Sequence, residues 1–451
     1  MHSHPTIRHL AQQLHTGELS CEQLISTAIT KAQAHRGIFL YLDEADLLGQ
    51  ARRVDQQRAN GDAQALAGIP ISLKDLFNVQ GQQTLAGSVV LADKAPLETD
   101  DAKVVAYLRQ AGMVFFGRTN MSEFAFSGMG LNDHFPALYS IWNQAGLRIP
   151  GGSSSGSALS VAQGIVPATL GSDTTGSCRI PAAFNGIVGM KPSHGRLSLA
   201  GVYPLSHSCD APGPLAVDVD SCFLLDQLMQ GKALDSFPLP TLAIAKPQQL
   251  RLLLPDSAVM QDLDPDVERT FNQALEKLQA AGVKVIKQPM PLIDQCIDMF
   301  FHRNTVMYEA WQLHRELITE HGDAYGDYVR TRIESGHTIS EAEQAARYEE
   351  KAQLIQRFRE AFLALKIDAL VYPTVSCIPP LVADTEDADT IGAINLRCLR
   401  NTSSVNYFDG CAISLPCHQP NEAPVGLMLS SIHGDDARLL EIAAGIESVL
   451  R

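Results

Sequence analysis

At 451 residues, with 45% hydrophobic side chains, the chain is long enough for one large α/β domain or two smaller ones. A net charge of −15 and the absence of any Lys/Arg run weigh against nucleic acid as a partner, because phosphate binding needs clustered cations. No apolar run reaches membrane-spanning length, and the nine cysteines are scattered without a CxxC pair, so a membrane span, a disulfide framework and a structural zinc site are all disfavoured and a reducing, cytoplasmic setting fits.

The opening MHSHPTIRHLAQQL lacks the basic-then-apolar profile of a secretory leader. Residues 1–60 read as a helical layer. Ser20 and Gln23 have the form of a capping box, and Leu24, Ile25, Ala28 and Ile29 recur near helical spacing. A second pattern occurs twice. Asp101 precedes the helical stretch AKVVAYLRQA, Gly112 stops it and the apolar run Met113–Phe116 follows. Later Asp264 caps, Pro265 starts a helix, Gly282 stops it, and Val283, Val285 and Ile286 form a strand. Such units predict an α/β fold: a large mixed, mostly parallel central sheet covered by helices on both faces. Residues 232–249 carry three prolines and read as a surface excursion. Residues 300–360 are strongly helical, and two readings stand for them: a lid over a pocket or a plain packing layer.

Three stretches between 68 and 216 carry the chemistry. In GIPISLKD, residues 68–75, Lys74 ends an alternating apolar run. Desolvation there lowers a lysine pKa towards that of a neutral base. A strand-end lysine can equally snorkel to water or pair with Asp75. In RIPGGSSSGSALSVAQG, residues 148–164, the Gly/Ser density suits either a flexible linker or a tight loop entering a helix. In GSDTTGSCR, residues 171–179, Ser177 follows Gly176, so consecutive N–H groups and an open backbone surround a hydroxyl, as acyl transfer requires.

Taken together, GIPISLKD, GGSSSGSA and GSDTTGSCRIPAAFNGIVGMKPSHGRLS closely resemble the amidase signature family. The likeness continues through GVYPLSHSCDAPGPLA, DALVYPTVS and DGCAISLPC, so it spans 1–451 as one domain. It implies a Ser–cis-Ser–Lys triad: Ser177 as nucleophile, Ser153 on a cis peptide bond as bridge, and Lys74 as base. It also implies an oxyanion hole from the backbone N–H groups of Thr174, Thr175, Gly176 and Ser177. Ser154, Asp173 and Arg179 take supporting roles, with Asp173 and Arg179 either holding the loop or forming a solvated pair. No cofactor and no metal are required. The implied activity is hydrolysis of a small carboxamide to a carboxylate and ammonia or an amine, with a homodimer as the family-level expectation. The alternatives are a urea-type substrate (biuret or allophanate-like) and the A-type component of an amidotransferase that works on Glu-tRNA. An acidic substrate requires a guanidinium in the pocket, for which Arg303 and Arg332 are candidates. Three departures from the family pattern bear on substrate: Thr175 where glycine is commonest, Ser155 in the Gly/Ser block, and bulky Phe135 and Trp142 within 132–143.

Overall fold

The computed structural model describes residues 4–451. Eleven strands form one sheet: β1 (Phe39–Tyr41), β2 (Pro70–Lys74), β3 (Val114–Thr119), β4 (Ala168–Asp173), β5 (Val188–Lys191), β6 (Ala211–Ala216), β7 (Arg251–Asp256), β8 (Lys284–Pro289), β9 (Ala369–Pro373), β10 (Cys411–Pro416) and β11 (Gly426–Ser431). Their spatial order is β1-β3-β2-β4-β6-β5-β10-β11-β9-β7-β8.

Successive residues of the central strands divide between two apolar cores, which shows that both faces are covered. Ala369, Val371, Ile413, Leu427 and Leu429 point into one core, with Leu225, Phe271 and Leu439 from the helices Val219–Met229, Pro265–Ala280 and Asp436–Leu450. Leu370, Tyr372, Ala412 and Met428 point into the other, with Ile293, Phe358 and Leu399 from Pro291–His302, Glu341–Leu365 and Ala388–Tyr407. The helix–glycine–strand units are present: Gly112 (φ 75°) and Gly282 (φ 95°) take the left-handed conformation between Lys103–Gln110 and β3, and between Pro265–Ala280 and β8.

The mixed sheet is less parallel than the sequence predicts. Among the described residues six of the ten pairings are antiparallel. The repeated units do deliver parallel strands, β3 beside β2 and β8 beside β7. The middle strands have no such unit: β10 and β11 are joined by the short connection 417–425 and pair antiparallel, as a connection too short for a crossover demands.

The capping box at Ser20 and Gln23 is formed on the helix Cys21–Ala34. Asp264 sits at the N-cap position, but its carboxylate is taken by the Ile378 N–H (3.0 Å) and Arg397 (2.6 Å), so it makes no side-chain cap. Residues 232–249 have no regular structure before the turn Pro247–Gln249, yet Leu234, Leu239 and Leu242 are buried, which straps the segment to the core. No described helix is long and apolar enough to cross a membrane.

Candidate active site

Lys74 is the last residue of β2, whose five residues are all buried. β2 runs parallel to β3 and β4, so Lys74 and Asp173 leave the sheet at the carboxyl ends of neighbouring strands, where open α/β sheets place their sites. The amine is completely buried and donates to Ser153 Oγ (2.6 Å) and Ser172 Oγ (2.8 Å). It does not pair with Asp75, whose carboxylate is bound to the Arg118 guanidinium and the Gly87 N–H. Burial therefore dominates and lowers the Lys74 pKa to about 8, with the nearby acids Asp173 and Asp210 opposing it only in part.

The Gly152–Ser153 peptide bond is cis. The turn around it is tightly enclosed. The Ser122 N–H donates to Ser153 O (3.1 Å) and the Gly152 N–H to Gly128 O (2.8 Å). A Cβ on Gly152 would lie 2.5 Å from the Gly130 nitrogen, which no side chain tolerates. Ser154, at the N-cap of the helix Ser155–Ala162, donates its N–H to Ser177 O (3.3 Å) and its hydroxyl to Ser172 O (3.4 Å). That first bond ties the 152–154 turn to the loop carrying Ser177. The Ser155 hydroxyl is buried with no hydrogen-bond partner.

The loop 174–178 is wound around the Asp173 carboxylate. Asp173 accepts from the N–H groups of Gly176 (2.8 Å) and Cys178 (3.1 Å) and, bidentately, from Arg179 (2.9 and 3.0 Å). Both charges are fully buried, so this is an internal pair and not a solvated one. Burial alone would raise the Asp173 pKa, but the Arg179 guanidinium, helped by Lys191 and Asn406, holds it down at about 2. Arg179 also donates to Thr402 O (3.0 Å) and Asn406 Oδ1 (2.7 Å). Gly176 has φ +137°, and a Cβ there would fall 2.2 Å from Thr402 Oγ1, the hydroxyl that donates to Thr175 O (2.6 Å). Of the four N–H groups named from the sequence, that of Gly176 is thus engaged by Asp173. Those of Thr174, Thr175 and Ser177 make no hydrogen bond to a described residue. Asp173→Asn strands the Arg179 charge in the core and is expected to cost about 3–5 kcal/mol of unfolding free energy, measured by denaturant titration. A loss below ~1 kcal/mol would contradict the clamp.

Cys178 lies next to Ser177, but burial pushes its thiol pKa up and its Sγ turns to Gly213 O (3.7 Å). The Ser177 hydroxyl makes no hydrogen bond to a described residue, and Ser177 forms part of the wall of a small, narrow hollow. The helical stretch 300–360 supplies Phe300, Asn304, Val306 and Arg332 to the same hollow. Arg303, the other guanidinium considered from sequence, instead pairs with Asp298 and Glu350. Trp142 stacks under Arg148 and borders a different hollow with His418. Among the described residues no cluster of three or more His, Cys, Asp or Glu could hold a metal ion.

A family model described as Amidase matches residues 23–440. The chain belongs to the amidase signature family. Over 99% of its length this amidase is 33% identical to the 2-amino-5-chloromuconic acid deaminase of Comamonas testosteroni, covering 96% of that protein. It is 34% identical to the A-type component of the glutamyl-tRNA(Gln) amidotransferase from Chromohalobacter salexigens, over 97% of this chain and 95% of that one. A solved amidase structure superposes with a TM-score of 0.86 at 30% identity, covering 98% of this chain and 99% of the other. The amidase is accordingly an α/β enzyme of a family that acts on C–N bonds.

Four residues around the site of this amidase escape a reading of its sequence: Ser172, Thr402, Asn406 and Asp210. Asp210 is buried, accepts from Thr174 Oγ1 (2.6 Å) and from the N–H groups of Leu205 and Ser206 (both 2.9 Å), and has its pKa raised by burial to about 6. Its place within the GVYPLSHSCDAPGPLA motif, like that of Ser172 within GSDTTGSCR, is the available signal. Thr402 and Asn406 lie more than two hundred residues from the loop they hold, in an otherwise unremarked helix.

Proposed function

We propose that this amidase hydrolyses a small carboxamide through a Ser177 acyl-enzyme. The observation that carries the reading is Lys74: a fully buried amine with no carboxylate partner, bonded to Ser153 at 2.6 Å, whose pKa of about 8 leaves a usable neutral fraction near physiological pH. Neutral Lys74 takes the Ser153 proton as Ser153 takes that of Ser177. Ser177 Oγ then attacks the amide carbon. The developing oxyanion is met by N–H groups of Thr174, Thr175 and Ser177, which have no other partner among the described residues. Collapse breaks the C–N bond, and the relayed proton leaves on ammonia or the amine. Water, deprotonated along the same path, splits the Ser177 ester and releases the carboxylic acid. The Ser154–Ser177 bond supports this pathway by keeping the two serine segments adjacent, and catalytic hydrogen bonds commonly tighten only with substrate bound. Asp173, Arg179 and Ser154 position the loop without touching substrate.

The sign of the pH dependence follows from Lys74. Its unprotonated form is the active one, so kcat/KM for ammonia release is expected to rise with pH, about tenfold per unit, and level off above about 8. Activity that is flat between pH 6 and pH 9, or that falls as pH rises, would count against the lysine base. The relatives named as amidotransferase components keep a second reading open to test: glutaminase activity that appears only with a partner protein would favour it.

A further inference from the structure

The hollow beside Ser177 is lined without a single acidic side chain, in a protein of net charge −15. Apart from serine and threonine hydroxyls, the polar side chains that reach it are Arg332 and Asn304, and both can only present donors to it. Arg332, on the helix Asp327–Glu334, lies with its guanidinium 4.6 Å from the centre of the Phe126 ring and donates from Nη1 to Tyr328 Oη (3.2 Å). It forms no ion pair with any described carboxylate, and its buried Nε has no hydrogen-bond partner. Arg303 and Arg330 on the same helical stretch show the contrast, since each is paired with two acids. Asn304 caps the helix Thr305–His321. Its Oδ1 accepts from the Val306 N–H (2.9 Å) and the Tyr407 hydroxyl (3.1 Å), which fixes the amide so that Nδ2 remains as a donor towards the hollow.

A guanidinium backed by an aromatic face, free of acids and joined by an amide donor, matches the fork of a carboxylate and disfavours a cationic amine. The hollow is narrow, which limits the length of what it holds. We infer that the substrate is a short amide that also carries a carboxylate, held by Arg332 and Asn304 while its amide carbon meets Ser177. This rests on Ser177 being the nucleophile.

The test compares ammonia release from the monoamide of succinic acid with release from an uncharged branched amide of matching length. In the parent enzyme kcat/KM is expected to favour the acid. In Arg332→Leu the acid-to-neutral ratio falls roughly 30-fold or more, chiefly through KM, because one partner of a charge pair has been cut away. Arg332→Lys keeps the charge without the fork and gives an intermediate ratio, so the ordering survives even if the leucine variant folds poorly. A parent enzyme that prefers the neutral amide, or a ratio unchanged by both substitutions, overturns the carboxylate site. Labelling of the parent enzyme by a serine-directed phosphonate separates the two readings. Protein labelled at Ser177 but indifferent to the carboxylate sinks this inference alone, whereas protein neither labelled nor active sinks the nucleophile as well.

Discussion

Ser177→Ala is expected to lower kcat for amide hydrolysis by about 10⁴-fold or more while leaving the thermal melt within a few degrees of the parent. The two halves of that expectation have separate causes. In the proposed mechanism the Ser177 oxygen forms the covalent bond, and the neighbouring thiol of Cys178 is a poor replacement, being buried, raised in pKa and turned towards Gly213 O. Stability is spared because the Ser177 side chain makes no hydrogen bond to a described residue, and the loop is held by Asp173, Arg179 and Thr402 instead. Residual activity above about one per cent, measured as ammonia release, would remove Ser177 from its role.

Lys74→Met comes second in size, with an expected fall of ~10³–10⁴-fold in kcat, the range a positioned general base supplies. Methionine keeps most of the buried volume, so the strand end stays packed. The cost falls on the Ser153 and Ser172 hydroxyls, which lose their shared donor. The variant should also lose the rise of rate towards pH 8, because in the proposed mechanism that rise comes from the Lys74 amine. A variant that is slow yet keeps the parent pH profile would assign the titration to another group.

Much of this site is legible in the sequence, and the reason is local. GIPISLKD, GGSSSGSA and GSDTTGSCR each confine their chemistry to a few consecutive residues, so type and spacing carry it. The helix–glycine–strand units are legible for the same reason, since each is set by near neighbours. What sequence does not supply is anything fixed by long-range packing. Whether Lys74 meets Asp75, water or Ser153 depends on how β2 lies against β4, and the competing Asp75–Arg118 pair joins residues forty-three positions apart. The antiparallel centre of the sheet depends on which strands the short connections allow to meet. Arg332 and Arg303 look alike in a helical run. Only their surroundings separate them, one facing the hollow beside Ser177 and the other facing Asp298 and Glu350.

The measurement closest to the heart of the account is the rate and location of phosphonate attachment, followed by mass spectrometry across a pH series in the parent enzyme and in Lys74→Met. A single adduct on Ser177, forming faster as pH climbs towards a plateau above about 8 and losing that dependence without the lysine, is the predicted outcome. Attachment at Ser153 or Cys178 instead, or equal pH-independent rates in both proteins, would contradict a buried amine that passes protons to a nucleophilic serine.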